Sequence, residues 1–147
     1  MQKVKSNGIE HLTTTYHGKV KFNEADPLGI VWHGNYLGYF EDGREHFGSI
    51  FGLTYLDIHK NGYSVPIVQS ICNHKKPLKY SDEFRVKTSL VFTLAAKLIF
   101  NYEVYNQKDE LVCSGETTQV FVSKEGELSL TNPDFFEAWK KRVDYSK

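Results

Sequence analysis

The chain has 147 residues, with 18 Lys plus Arg against 18 Asp plus Glu, so its formal charge is zero with histidine neutral. A neutral chain has no overall field to draw it onto nucleic acid or an anionic membrane, and no apolar run approaches the roughly 20 residues that a membrane helix needs. The length suits one domain with a real core, spanning 1–147.

Aromatic residues, at 14%, suit a sheet-rich core or an apolar pocket. Residues 1–10 read as a loose polar leader without a signal-peptide core, and a reducing, cytoplasmic setting is the default expectation. Cys72 and Cys113 lack metal-ligand spacing and sit in apolar strand-like runs. Buried thiols are expected there rather than a disulfide, and no metal site is expected. Leu12, Thr14, Tyr16, Gly18, Val20 and Phe22 alternate with polar residues, the signature of a half-buried strand.

The stretch from Asp26 to Tyr36 follows. Asp26, Pro27 and Gly29 suit the first, second and fourth positions of a type I turn. After the apolar run Ile30-Val31-Trp32, the segment His33-Gly34-Asn35 reads as a helix start, with Asn35 the better N-cap. A carboxylate thus lies close in sequence to the unpaired N–H groups of a helix N-terminus, which attract negative charge. Such a pair is a minimal kit for attacking a carbonyl and holding the oxyanion that forms.

The helix is expected from about Gly34 to Ser49, with an apolar stripe of Tyr36, Tyr39, Phe40, Gly43, Phe47 and Ile50. Gly38 and Gly43 each cost about 1 kcal/mol relative to Ala inside a helix. Gly43 lies on the stripe, so a close-packed neighbour such as a curved sheet is expected there. On the other side, Glu41 can pair with Arg44.

Thr54 to Lys60 suits a short second helix, and Asn61-Gly62 a turn. Val65 to Asn73 is apolar on both faces and is expected to be a buried strand. Strands follow at Glu83–Leu94, Lys97–Tyr105 and Leu111–Val122, joined by connections short enough only for antiparallel hairpins. Asn132 and Pro133 can open a last helix through Phe136 and Trp139, about 133–142. The order predicts an α+β fold: a curved antiparallel five-stranded sheet wrapped around one long central helix, with open edges that self-association would cover.

With these residues the chain resembles the hotdog-fold thioesterases of the 4-hydroxybenzoyl-CoA thioesterase family. The likeness is carried by Phe22 through Tyr36, with Tyr39, Glu41 and Arg44 on the helix. A second block is Lys75-Lys76-Pro77-Leu78 with Asp82, Val86 and Thr88; a third is Gly115, Thr117 and Val120. The likeness covers about residues 12–123. It implies hydrolysis of an acyl thioester, on CoA or an acyl-carrier protein, by a homodimer or homotetramer without metal or other cofactor. Asp26 falls on the family's catalytic aspartate, as nucleophile or general base. His33 falls at the helix N-terminus, where the backbone N–H polarises the thioester carbonyl. Ile30, Val31, Trp32 and Tyr36 are candidates for lining the acyl pocket.

Two departures bear on the CoA anchor. The basic cluster that some relatives carry before the fourth strand is replaced by Leu94-Ala95-Ala96, followed by a single Lys97. Ser81 stands where a Gly is frequent before the Asp. Lys75, Lys76 and Lys97 are the remaining candidates for gripping the nucleotide phosphates. Two other activities fit the same fold: a non-catalytic acyl-ligand binding module, and a dehydratase using His33 with Asp26.

Overall fold

Alternation of apolar and polar residues produces β1 (Gly8–Lys19), the first strand of a computed structural model that describes residues 7–147. The strand therefore takes in Gly8 to Glu10, which the sequence suggested were leader; residues 1–6 lie outside the described residues. Leu12, Thr14 and Val20 are buried as the alternation requires. Phe22 is not: it starts a short 3-10 turn (Phe22–Glu24) and is 81% exposed, because the chain has left the sheet before it.

The long helix α1 (Asn35–Phe51) is followed by α2 (Tyr55–Lys60), β2 (Tyr63–Ser64), β3 (Ile67–His74), β4 (Glu83–Val91), β5 (Lys97–Asn106), β6 (Leu111–Val120), β7 (Val122–Ser123) and α3 (Asp134–Val143). Five strands form one antiparallel sheet in the order β1-β4-β5-β6-β3, and β2 pairs with β7. The β4–β5 and β5–β6 pairs are the expected hairpins. The first strand instead pairs with β4 across a long connection, Thr14 opposite Thr88 and Tyr16 opposite Val86.

Packing of α1 on the sheet is aromatic. Phe40 stacks on Tyr102 with ring centroids 4.5 Å apart, Phe47 meets Phe100 edge-on at 5.1 Å, and Tyr39 lies 4.3 Å from Phe84. Phe40 and Phe47 are wholly buried; truncating either to Ala would cost about 3–5 kcal/mol. The close neighbour expected at Gly43 is β4: a β-carbon there would lie 2.4 Å from Thr88 Oγ1 and 2.8 Å from Val86 Cγ1. Gly38 needs a different account, since nothing lies within 4 Å of its β-carbon position. Ile50, placed on the buried stripe by periodicity, is 59% exposed; Gly48 is buried instead, against the backbone of Leu53.

The strand expected to be buried, β3, lies at the edge of the sheet with Ile67, Val68 and Ile71 exposed. Its two apolar faces imply cover that one chain does not supply. At the other end, α3 starts one residue later than predicted, with Pro133 as N-cap and no side-chain cap; the buried Asn132 Oδ1 has no hydrogen-bond partner. Trp139 Nε1 donates to the Phe51 carbonyl at 2.8 Å, which docks α3 on the end of α1. No described helix is long and apolar enough to cross a membrane.

Candidate functional site

The segment from Glu24 to Asn35 is a small hairpin stitched to the start of α1. The Gly29 N–H donates to the Asp26 carbonyl at 2.9 Å, closing a turn with Asp26 first, Pro27 second and Gly29 fourth. Gly29 has φ +80°, a left-handed conformation that favours glycine. The Asp26 N–H donates to the Ile30 carbonyl at 2.8 Å, and Ala25 bridges to Val31. The loop is then fixed to the segment leading into β4, by Val31 N–H to the Leu78 carbonyl at 2.8 Å and by a bridge between Ile30 and Lys79.

The helix start differs from its sequence reading. Gly34, not Asn35, is the N-cap, and it offers no side-chain cap. Asn35 already lies in the helix, and its amide donates to the Glu24 carbonyl at 2.8 Å. The N–H groups of His33 and Gly34 have no acceptor among the described residues. They stand at the positive end of a 17-residue helix.

A cleft of about 260 Å³ opens at this point, lined by Ile30, Val31, His33, Tyr36, His74 and the segment Lys75–Pro77. Ile30, Val31, His33 and Tyr36 from the motif thus meet in one cleft, with Lys75 and Lys76 at its rim. Val31 and Tyr36 are buried, whereas His33 is exposed. The Tyr36 hydroxyl accepts from the Leu78 N–H at 3.3 Å, and burial pushes its phenol above the usual range, so it serves as a neutral wall.

Other predicted residues lie elsewhere. Asp26 is half-buried and is not among the lining residues; its Oδ1 accepts from the Leu28 N–H at 2.8 Å. Trp32 is 52% exposed, with its indole over Gly34 and its ring 5.0 Å from that of His33. Lys76 is ion-paired with Glu110. Lys97 pairs with Val120 on β6, whereas the cleft end of β3 pairs with Cys113; seven strand residues separate these points by about 23 Å. Within one chain, Lys97 and the Lys75–Lys76 pair therefore cannot grip the same group.

A wider groove of about 810 Å³ runs between β1 and the flank of α1, past Tyr16, Glu24, Tyr39, Asp42 and Tyr80. Burial raises the Asp42 carboxyl above its ordinary value. Unlike the cleft, this groove does not include the helix start. His74, on the cleft wall, was missed in sequence because it looks like the polar end of a strand. His74 is exposed, and its register opposite Cys113 is what brings it to the cleft. The cysteines are free thiols, Cys113 buried and Cys72 only half-buried; burial pushes both above the ordinary thiol range.

Comparison with known proteins bears on this geometry. The sequence profile described as the thioesterase-like superfamily matches residues 20–140. Over 127 residues the chain is 32% identical to a Bacillus subtilis (strain 168) protein provisionally named acyl-CoA thioesterase YneP, covering 84% of this chain and 92% of that one. It is 27% identical over 129 residues to a 1,4-dihydroxy-2-naphthoyl-CoA hydrolase of Prochlorococcus marinus, covering 82% of this chain and 84% of that one. Among solved structures, the DHNA-CoA thioesterase of Staphylococcus aureus superposes with a TM-score of 0.79 at 27% identity, covering 90% of this chain and 91% of that one. A hypothetical protein of Aquifex aeolicus superposes with a TM-score of 0.78 at 31% identity, covering 86% and 98%.

Proposed function

Because the chain belongs to the thioesterase-like superfamily, we propose that it hydrolyses an acyl-CoA thioester at the cleft beside the start of α1. The observation that carries the reading is the pair of N–H groups at His33 and Gly34 that have no acceptor among the described residues, beside a cleft walled by Tyr36 and Val31. The thioester oxygen accepts from these donors as negative charge develops on it. By analogy with other oxyanion holes, one well-placed donor is worth about 3–4 kcal/mol.

Asp26 supplies the base or the nucleophile. As a base, its carboxylate takes a proton from water while the water oxygen bonds to the thioester carbon. The C–S bond then breaks, and the thiolate leaves and is protonated. As a nucleophile, the Asp26 carboxylate bonds to the thioester carbon, the C–S bond breaks and the thiolate leaves and is protonated; water then opens the mixed anhydride, releasing the carboxylic acid and restoring Asp26. Either route requires the carboxylate to reach the cleft from its turn, one short hairpin away. Lys75 and Lys76, at the rim of the cleft, meet the nucleotide phosphates, and Ile30, Val31 and Tyr36 border the acyl group, with Trp32 beside His33. The motif blocks favour the 4-hydroxybenzoyl-CoA thioesterase pattern within the superfamily, with α1 as its central helix.

A second copy of the chain completes the assembly. Support comes from the unpaired edge of β3 with exposed Ile67, Val68 and Ile71, a strand edge of the kind that proteins cover. The absence of Asp26 from the cleft lining favours one rival reading, a module that binds acyl-CoA without turnover. One experiment separates them: thiol release measured across short, long and aromatic acyl-CoAs, including 1,4-dihydroxy-2-naphthoyl-CoA. Turnover on at least one thioester, lost in Asp26→Asn, supports hydrolysis. Saturable binding without thiol release on any of them supports the binding module.

A further inference from the structure

Three side chains with affinity for soft metals converge where β3 and β6 pair. Cys72 and His74 lie two residues apart on β3 and so share a face; His74 stands opposite Cys113 on β6, and Cys72 opposite Gly115. That face is the one covered by α1, since a β-carbon on Gly115 would meet the Phe40 ring at 2.3 Å. The two sulfur atoms are 3.2 Å apart, and the three candidate ligand atoms all lie within 4.8 Å of one another.

We propose that Cys72, His74 and Cys113 form a binding site for a zinc-class divalent cation, with two thiolates and one imidazole as ligands and the fourth position open toward the cleft that His74 lines. A tetrahedral zinc ion with sulfur at about 2.3 Å and nitrogen at about 2.0 Å holds two sulfurs about 3.8 Å apart and a sulfur and a nitrogen about 3.5 Å apart. The sulfurs, 3.2 Å apart, would have to open by about half an ångström to take up that shell.

The donor set decides between a metal and a bare dithiol. Two neighbouring thiols by themselves suit either an ion or a disulfide. Here an imidazole joins them, and two sulfurs with one nitrogen is a set that selects zinc over calcium or magnesium. The His74 ring makes no hydrogen bond among the described residues; its centroid lies 5.2 Å from that of Tyr36 and 6.4 Å from that of His33. Its nitrogens are therefore free to ligate. Uptake of the ion balances as loss of one proton from each thiol while the neutral imidazole contributes its lone pair.

The test uses the untagged full chain, fully reduced, titrated anaerobically with Co²⁺ and then with Zn²⁺. One equivalent of Co²⁺ gives a thiolate-to-cobalt charge-transfer band, which Zn²⁺ abolishes by displacement. Cys72→Ser and His74→Ala each weaken Co²⁺ binding at least about tenfold, the lower bound seen even for losses outside the ligand shell. Cys113 is wholly buried, so Cys113→Ser is not needed for the decision; circular dichroism of the other two variants establishes that they fold. Absence of the band in the reduced wild-type chain overturns the site. So does a band of unchanged strength in folded Cys72→Ser, or formation of an internal disulfide by a chain that retains no cobalt when reduced. The readout is spectroscopic, so failure of the hydrolase assignment leaves this result standing, and the converse holds.

Discussion

The side-chain amide of Asn35 donates to the Glu24 carbonyl at 2.8 Å, and that same oxygen accepts from the Trp32 N–H at 3.0 Å. One atom thus ties the first residue of α1 to the end of the 3-10 turn and fixes how the Asp26 hairpin meets the helix. Asn35→Ala removes one of these bonds, at a net cost of about 1 kcal/mol, or a Tm lower by about 2–4 °C. Because positioning errors of an ångström cost up to about a hundredfold in rate, kcat in the thiol-release assay is expected to fall at least about tenfold. An unchanged kcat in a folded variant would show that the tie does not position the site.

Gly43 and Gly38 make a matched pair. At Gly43 a β-carbon collides with Thr88 and Val86; at Gly38 it meets nothing within 4 Å. Gly43→Ala should destabilise the fold by about 1–3 kcal/mol through overpacking. Gly38→Ala should stabilise it by about 0.5–1 kcal/mol, because a helix interior prefers alanine. Urea unfolding of the two variants checks both signs; destabilisation by Gly38→Ala would mean that its side of the helix is covered.

Ser81 has φ +69°, in the left-handed region where L-residues are strained by about 1–2 kcal/mol. This gives a physical reason for the glycine frequent at that position in the resembling family. Glycine relieves the strain but adds freedom to the unfolded chain, so Ser81→Gly should gain a net of about 0.5–1 kcal/mol. Thermal unfolding is the check: a lower Tm would mean that the serine contributes a contact.

Thr54 and Asp57 form a capping box at the start of α2. Asp57 Oδ2 accepts from the Thr54 N–H at 2.9 Å and from its hydroxyl at 2.8 Å, and the Thr54 hydroxyl accepts from the Asp57 N–H at 3.1 Å. These bonds to the backbone and hydroxyl of Thr54 hold the Asp57 carboxyl below its ordinary value. A depressed folded pKa contributes stability that is fully present above the unfolded value, near pH 4. That stability is lost as pH falls through the folded value. Asp57→Asn should therefore lower stability at pH 7 and have a shrinking effect as the pH drops below about 4. Urea midpoints of both proteins across pH 3–7 measure it, and a constant difference at every pH would refute the linkage.

Period-two alternation made β1, β4 and β5 legible, because each largely has one face on the core and one turned out; β6 alternates more weakly, and its neighbours Val112 and Cys113 are both buried, as are Thr117 to Gln119. It failed for β3, where Ile67, Val68 and Ile71 suggested burial although the strand lies at an edge. Hydrophobicity records that a surface is to be covered, without recording by which chain. The turn at Asp26 was legible because Pro27 and Gly29 each have a local conformational cause. The helix cap was not: Asn35 satisfies a carbonyl eleven residues back rather than its own helix. The meeting of Cys72, His74 and Cys113 could not be found by spacing, since the cysteines are 41 residues apart. It depends on the register of two strands that are not neighbours in the chain.

The pairing of β1 with β4 orders events during synthesis. Tyr16 has no partner until Val86 exists, and the aromatic face of α1 waits for Phe84, Phe100 and Tyr102. At about 5–20 residues per second, the nascent amino-terminal half spends several seconds with this surface uncovered. Slow codons or a pause in that interval would lengthen its exposure to chaperones and to other nascent chains.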